Sequence, residues 1–457
     1  MARPHHRPQP RTEHARGTAA GKTPAAGTHR GAYWPVTAPE SRAATGQCTV
    51  TQSPPVDYDV LISGAGLVGS CCALALAPTG LRVCLLDKSP PPSGQQRDPS
   101  MRVSAINRAS ENILRAVGAW HAIARARPAV FRRIEVWDAA STGTISFDAA
   151  EAGLSHLGYI VPNAVTVSAL QKTLAGHDQV NIQFGDAPVA MVPAENHVTV
   201  ELASGTTLNA RLVIGADGAH SAVRELASIR WDEADYHHTA IVATVTPDQA
   251  PAETARQRFL PGGPLAFLPL NDAQCSIVWS VKSVMAEQLL ALDDKAFAAE
   301  LAEAFEHRLG TIHAVSRRLA LPLIRRHAAN YIALRVALAG DAAHTVHPLA
   351  GLGANQGFAD GAALAEVIGA AVARGRDPGG HSVLRRYERW RRGDNALVLQ
   401  TMDFFHHLFG TDQAVIADLR GLGLNLTDRA PLLKNFFLHR ATGLAGDLPR
   451  LARSAIP

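Results

Sequence analysis

Three glycines set between two apolar runs constrain this chain more than any other feature. In DVLISGAGLVGSCCALALAPTGLRVCLLDK, residues 59–88, Gly64, Gly66 and Gly69 follow an apolar run from Asp59 to Ser63 and lead into a helical pattern from Ser70 to Pro78. A second apolar run, Leu81 to Leu86, completes a strand, helix, strand unit. In such a unit the first glycine permits the tight turn, the second lets the backbone approach a pyrophosphate, and the third lets the helix sit close to the strand. Free N–H groups at the helix start add the positive end of a dipole. Asp87 ends the second strand about 20 residues after the glycines, where a carboxylate can accept hydrogen bonds from a ribose. The unit predicts a bound dinucleotide contacted by Gly64, Gly66, Gly69 and Asp87, and NAD and FAD fit it equally well.

Composition bounds what surrounds that unit. The chain has 457 residues, 47% hydrophobic and 18% charged, which places it among soluble globular proteins with one large core or two. No apolar run reaches the roughly 18 residues that span a bilayer, so membrane contact would be peripheral. The five cysteines form no CxxC pair, and Cys71, Cys72 and Cys84 lie inside the nucleotide unit as small apolar residues, which suits a reducing, cytosolic-type compartment. Adjacent Cys71 and Cys72 face different sides of a helix, so packing is expected of them and not redox chemistry. Charge is uneven: residues 1–56 carry seven basic and two acidic side chains, leaving 37 basic and 38 acidic for the rest. A nucleic-acid partner for the folded part therefore has no electrostatic support. The tail, rich in Pro, Gly, Ala, Thr and His, is expected to be disordered. It reads as a dispensable extension, with an Arg-rich organelle transit peptide or an interaction arm as alternatives.

Further along, a polar loop spans 89–101. Ile113, Leu114, Val117 and Trp120 then recur at helical spacing behind Ser110 as N-cap, and two strands surround a Ser-Thr-Gly turn in 131–149. A helix is expected near Val165 to Leu174, strands near 180–184, 197–202 and 208–214, strand-like runs in 239–283, helix from Lys295 to Arg308 and a long apolar helix over 356–373. Helical material closes the chain. Helix–strand units at the start, middle and end enclose strand-rich pieces, so one α/β domain is expected to be assembled from separated segments with a sheet-based domain inserted through it.

Two more strand ends carry glycine and aspartate together. RLVIGADGAHSAVRELASI, 211–229, ends a strand at Gly215 and continues through Asp217 and Gly218 to Ser221 and Arg224, and VALAGDAAHTVHPLAGLGANQGFADGAALAEVI, 336–368, ends one at Gly340 and Asp341. With the first unit, this trio resembles the group A flavoprotein monooxygenases, the para-hydroxybenzoate hydroxylase-like aromatic hydroxylases. In that group the second motif is shared by FAD and NAD(P)H functions and the third serves the ribityl-pyrophosphate part of FAD. The nearest resemblance within it is to the ubiquinone-biosynthesis hydroxylases, which act on polyprenylated phenols. It covers essentially all of 57–457 and is carried by MRVSAINRASENILRAVGAW, IEVWDAASTGTISFDAAEAGLSHLGYIVPNAV, QRFLPGGPLAFLPL, CSIVWSV and GDAAHTVHPLAGLGANQGFAD.

The resemblance implies a Rossmann-type FAD-binding domain built from segments 57–130, 161–230 and 331–400, a substrate domain from 131–160 and 231–330, and a helical C-terminus over 401–457. It implies that FAD is the resident cofactor and NAD(P)H the electron donor, that Arg102 contacts the flavin, and that Asp341 binds its ribityl-phosphate portion. The loop from Pro348 to Asn355, with Leu349, Gly351 and Gly353, is then expected beside the isoalloxazine ring. Without the resemblance, Asp341 reads as a helix cap and Arg102 as a surface charge. Pro162 and Leu352 depart from the residues common in relatives. His344 and His347 lack a third ligand, so no metal is expected, and the pairs His237-His238 and His406-His407 carry no expected role. No Trp-x-Trp-x-Ile-Pro stretch of a flavin halogenase is present.

The implied activity is FAD-dependent hydroxylation of a polyprenyl phenol or quinol through a flavin C4a-hydroperoxide, which must be kept from water. A phenol is already electron-rich, so orientation and dryness matter more than a catalytic base, and none is assigned. Phe267, Leu268, Pro269, Pro348 and Leu349 are the expected dry wall, and the runs Phe259 to Leu270 and Ile277 to Val281 the walls of an apolar tunnel for the prenyl tail. Hydroxylation of another phenolic substrate, or FAD-binding as a scaffold in a biosynthetic complex, are the alternatives. Residues 403–444, with Phe404, Phe405, Leu408, Phe409, Phe436, Phe437 and Leu438, read either as packing or as a peripheral surface for membrane or partner proteins. The expected location is cytoplasmic, at most peripheral on the inner membrane, or mitochondrial if the tail is a transit peptide.

Overall fold

Val60, Leu61 and Ile62 have no exposed surface, which suits the strand Tyr58–Ser63 to the middle of a parallel sheet covered on both faces. The computed structural model describes residues 55–91, 102–345, 352–409 and 414–453. Most of the basic tail, Pro348, Leu349 and Gly351, and His347 lie outside the described residues, as does most of the 89–101 loop.

Val83–Asp87 and then Val180–Phe184 flank the central strand on one side, Thr207–Gly215 and then Val336–Leu338 on the other, all parallel. The short helix Leu67–Leu76 and the long helix Leu352–Val372 pack together over this sheet. Their approach is close because Gly361 faces Cys72, where an added Cβ would stand 3.3 Å from the cysteine Cβ. Cys71 and Cys72 are both fully buried, and burial pushes the Cys72 thiol up to about 12, so these are packing residues.

The second sheet has nine strands. From one edge its path runs through His344–Thr345, Leu319–Ala328, Trp231–Pro247, Cys275–Lys282, Gly263–Pro269, Thr254–Leu260, Arg133–Asp138 and Thr144–Asp148, with Ile312–Val315 also on Trp231–Pro247. Alternation sorts its side chains. Leu265, Phe267, Ile277, Trp279 and Val281 point to one face, where Phe297, Leu301 and Phe305 of 294–305 and Leu289 of the helix Ser283–Ala291 cover them. A third sheet joins Val103–Asn107, Gly158–Pro162 and Ala129–Phe131, which the reading of 131–160 as one run of strands did not separate.

Several local expectations change. The helix Arg108–Ala116 is capped by Asn107, whose side chain accepts from the Ser110 N–H at 2.9 Å, so Ser110 is the capped residue and not the cap. The helical spacing through Trp120 is broken at Gly118, φ +80°, and a separate short helix runs Trp120–Arg125. The strand Trp231–Pro247 begins eight residues before the expected position, and the helix Ser283–Ala291 and strand Leu319–Ala328 were not anticipated.

The C-terminal helices His381–Phe409, Ala414–Arg429 and Pro431–Ala441 include one that closes a sheet edge. Thr144 and Ser146 of the edge strand donate their N–H groups to Asn425 and Asp428 side chains, at 3.0 and 3.1 Å. Arg420 forks onto both oxygens of Asp138 at 2.9 Å, with both side chains buried. Removing one partner strands a buried charge. Arg420→Met should therefore lower unfolding free energy by about 3–5 kcal/mol in urea titrations, and a loss below 1 kcal/mol would contradict the structural role of the pair.

Candidate nucleotide site

The three glycine–aspartate turns meet at one end of the parallel sheet. Gly64 adopts φ +103° and lies so close to the second turn that an added Cβ would be 2.9 Å from the Asp217 Cα. Gly69 faces the Gly64 carbonyl, and any Cβ there would collide with it. Gly340, at φ +60°, faces Val68 of the first helix, with 2.9 Å between an added Cβ and the valine Cγ2. Gly66 differs: a Cβ on it would enter open space. That space lies at the start of the helix Leu67–Leu76, whose first N–H groups receive no side-chain cap.

Three polar residues hold the turns in place. Asp87 accepts from the Ala65 N–H and the Ser89 N–H, each at 2.8 Å, so its carboxylate ties the first turn to the second strand. Gln171 donates to the Ala65 carbonyl at 2.9 Å. Arg224, buried and stacked over Trp231 at 3.5 Å, donates to the carbonyls of Ala219 and Ala342 and so links the second turn to the third.

Asp217 accepts from the Val223 N–H at 3.2 Å through Oδ2, while its buried Oδ1 has no hydrogen-bond partner. Gly218 follows at φ +83° with open space around it. Burial pushes the Asp341 carboxyl above its ordinary value, and the charges of His344 and Arg102 pull it back. The exposed Arg102 therefore acts on Asp341 across the site. Gly353 stands opposite, where an added Cβ would be 3.9 Å from the Asp341 Oδ1. Asn355 is different in kind. Its amide accepts from the Asn107 N–H at 3.1 Å and donates to the Ala105 carbonyl at 2.8 Å, which fastens the long helix to the third sheet.

Sequence reasoning missed the groups behind the third turn. Asp360, wholly buried, accepts from the Gly340 N–H at 3.0 Å, His344 Nε2 at 2.6 Å, Arg391 Nε at 2.8 Å and Asn395 Nδ2 at 3.1 Å. Burial alone would raise this carboxyl; the charges and hydrogen bonds of His344 and Arg391 outweigh it and hold the group far below the usual carboxylate range. An acidic residue inside the apolar long helix was the available signal. Among the described residues no His, Cys, Asp and Glu cluster could hold a metal.

A buried carboxylate oxygen without a partner, a second carboxyl opposed by burial, uncapped helix N–H groups and the cradle at Gly66 suit a diphosphate flanked by hydroxyls. The FAD binding domain family matches residues 57–401. The chain is 37% identical over 387 residues to 3-demethoxyubiquinol 3-hydroxylase of Escherichia coli (strain K12), covering 84% of this chain and 98% of that protein. The chain belongs to the FAD-dependent hydroxylases of ubiquinone biosynthesis. Ubiquinone hydroxylase UbiL of Rhodospirillum rubrum is also 37% identical, over 90% of this chain and 96% of its own. The crystal structure of p-nitrophenol 4-monooxygenase PnpA from Pseudomonas putida DLL-E4 shares the fold, with TM-score 0.69, 20% identity and coverage of 84% and 98%. This family member is an FAD-dependent monooxygenase.

The second sheet corrects the expected dry wall. Phe267 stacks on Phe305 with ring centroids 3.9 Å apart, inside the core with Ile277 and Trp279. Pro269 shares its parity, and Leu268 alone of the three points to the other face, toward the cluster that holds Phe131, Leu157 and Ile160. Period-two alternation means that only every second residue of a strand can face a site, so neither of the two runs named from the sequence can be a wall throughout.

A carboxyl whose folded-state value exceeds its unfolded one costs stability once ionised. Cofactor-free Asp341→Asn should match the parent protein below about pH 4 and melt at a higher temperature as the pH rises toward neutrality. Equal melting temperatures across that range would show that the carboxylate carries no penalty for a cofactor to offset.

Proposed function

We propose that the protein hydroxylates the aromatic ring of a polyprenyl phenol or quinol in ubiquinone biosynthesis, with NAD(P)H as electron donor. The observation that carries this reading is the 37% identity to a demethoxyubiquinol hydroxylase over 98% of that enzyme's length. The chemistry supplied by bound FAD is activation of dioxygen for transfer of one oxygen atom to an electron-rich ring.

In this reading the FAD part is assembled from 57–130, 161–230 and 331–400 and the substrate part from 131–160 and 231–330. Gly64, Gly66 and Gly69 give the pyrophosphate its approach, the Asp87 carboxylate retains lone pairs for a ribose, and Asp217 with Gly218 serves the middle of the cofactor. Asp341, with Gly340 holding the turn, takes the ribityl side, and Arg102 balances its charge. Gly353 leaves room beside Asp341, and Asn355 contributes by pinning the helix start.

The substrate slot falls on the face of the second sheet opposite its helices. Val242, Val278 and Ala266 sit side by side there in register, with Gln257 next in the row. The third sheet borders this face at Leu268 and the C-terminal helices border it at Phe259, which packs with Met402, Leu408 and Leu424. These side chains orient a ring and exclude water. Each buried prenyl CH2 contributes roughly 0.8 kcal/mol, so a prenylated phenol gains more from such a wall than one phenolic hydroxyl gains from a hydrogen bond.

A lipid-soluble substrate also calls for contact with a membrane or a delivering complex. No helix among the described residues is long and apolar enough to cross a bilayer, but Leu422, Leu426, Leu432 and Phe436 are 65%, 61%, 87% and 54% exposed. Leu438 by contrast is buried against the third sheet. We assign the exposed set to peripheral contact at the inner membrane; if the tail is a transit peptide, that membrane is mitochondrial.

Two experiments test the reading. Gly66→Val places its Cβ in the open cradle, with no atom beyond its chain neighbours within 4 Å of that Cβ, so it should fold as the parent does yet lose bound flavin, and Asp341→Ala should also lower flavin occupancy; full retention by both removes the site assignment. Expressed in a bacterium that cannot hydroxylate its ubiquinone precursor, the protein should restore ubiquinone. Failure to do so by soluble, FAD-loaded protein, with efficient coupling on an unprenylated phenolic acid instead, would transfer the activity to another substrate.

A further inference from the structure

Arg108, Arg115, Arg125, Arg127, Arg132 and Arg133 fall within 26 residues that contain one acid, Glu111, whereas the chain beyond the tail is almost neutral. Part of this charge is matched. Arg132 pairs with Glu253 and Arg133 with Asp148. Glu111, 1% exposed, receives Arg115 through Nε and Nη2 at 2.9 and 2.7 Å on one oxygen and Arg108 and His156 on the other. Its acceptor capacity is thereby used, the Arg115 fork is fixed, and Nη1 of Arg115 is left over. Arg125 and Arg127 make no ion pair among the described residues.

Beside this fork lies a cavity of about 560 Å³ whose wall includes Arg115, Arg127, His121, Trp120 and Tyr159. No carboxylate lines it. Gly118, at φ +80°, opens one side, and the Arg115 guanidinium lies 5.1 Å over the Trp120 ring, which meets Tyr159 edge-on at 5.0 Å. The Tyr159 hydroxyl has no hydrogen-bond partner among the described residues, and burial with the nearby Glu111 charge keeps it protonated. The cavity thus presents fixed and free donors converging on a space far larger than one phosphate, with the half-buried Tyr159 and the exposed His121 at its wall and the buried Trp120 behind them.

We propose that this cavity binds a phosphate-bearing nucleotide, its phosphates on Arg115 and Arg127, its hydroxyl or phosphate oxygens on Tyr159, and its ring beside Tyr159 and the exposed His121. It is separate from the FAD cradle, since the helix Asn163–Leu174 stands between them: Gln171 bonds the Ala65 carbonyl at 2.9 Å, while Thr173 faces Gly118. The inference does not depend on which aromatic ring is hydroxylated.

ADP titrated calorimetrically into the FAD-loaded protein is the test, with flavin fluorescence reporting any displacement of FAD and inorganic pyrophosphate as the probe without a ring. ADP should bind one site, release no FAD, bind more tightly than pyrophosphate and weaken with rising salt. Arg127→Glu alters an exposed, unpaired charge and should weaken ADP binding roughly tenfold or more; Tyr159→Phe, which removes one hydroxyl, should weaken it less while leaving FAD content and melting temperature unchanged. No ADP binding to the FAD-loaded protein, binding only with loss of FAD, equal binding by both variants, or pyrophosphate binding as tight as ADP would each overturn the proposal.

Discussion

The third turn of the nucleotide site depends on a buried carboxylate that no cofactor touches in the proposed arrangement. Asp360 is a full charge without exposed surface, and leaving such a charge unpaired would cost several kcal/mol. Four donors surround it, from the turn itself, from His344 just after the turn, and from Arg391 and Asn395 on the following helix. A carboxylate so saturated has one arrangement that satisfies it, and that arrangement fixes where Gly340 ends its strand. The position of Asp341 one residue later is then a consequence of packing two helices around a charge. Asp341 itself is left in the opposite condition, with burial working against its ionised form. The protein thus satisfies one aspartate completely and leaves its neighbour with burial opposing its charge.

What was legible in the sequence divides along the same line. Glycines that allow close approach are readable because their absence of a side chain is the whole of their role: Gly64, Gly69 and Gly340 each face backbone or a packed side chain. Gly66 was legible for a different reason, since its motif reserves space that the structure shows to be open. The parallel sheet could be read because its central strands are continuous apolar runs. The polar residues that join the turns could not. Arg224, Gln171 and Asp360 lie 5 to 118 residues from the groups they bond, and most partners so placed leave no local pattern. Asn355 shows the converse. Its place in a glycine-rich loop marked it as a ligand contact, while its amide holds the third sheet.

The second sheet was read in runs, and a run of residues is the wrong unit for a strand. Phe259 to Leu270 is apolar nearly throughout, so sequence alone assigns all of it to one wall. A strand with both faces covered looks the same from either side. Only the register, which pairs Ala266 with Val278 and Val278 with Val242, says which residues share a face. Aromatic residues went to the helix-covered side, where Phe267, Phe305 and Trp137 pack together. In the row of Val242, Val278 and Ala266 the opposite side received small and β-branched ones, with Phe259 at its border. That distribution leaves the row of Val242, Val278 and Ala266 less bulky than the helix-covered side.

The C-terminal helices were left open between packing and surface because their apolar residues do not favour one side, and one helix carries both packed and exposed residues. In Ala414–Arg429 the residues Arg420, Gly421, Asn425 and Asp428 turn toward the second sheet and close its edge strand. Leu422 and Leu426, one turn apart, stand on the other side with 65% and 61% of their surface exposed. A helix that used its apolar residues to pack would show them facing the sheet. Here the contact with the sheet combines a buried ion pair and two side-chain caps with Leu424 on Phe259, while Leu422 and Leu426 are directed outward. The polar seam, with Leu424 packed beside it on Phe259, holds the helix without drawing on Leu422 and Leu426, so these two leucines keep an apolar face outward.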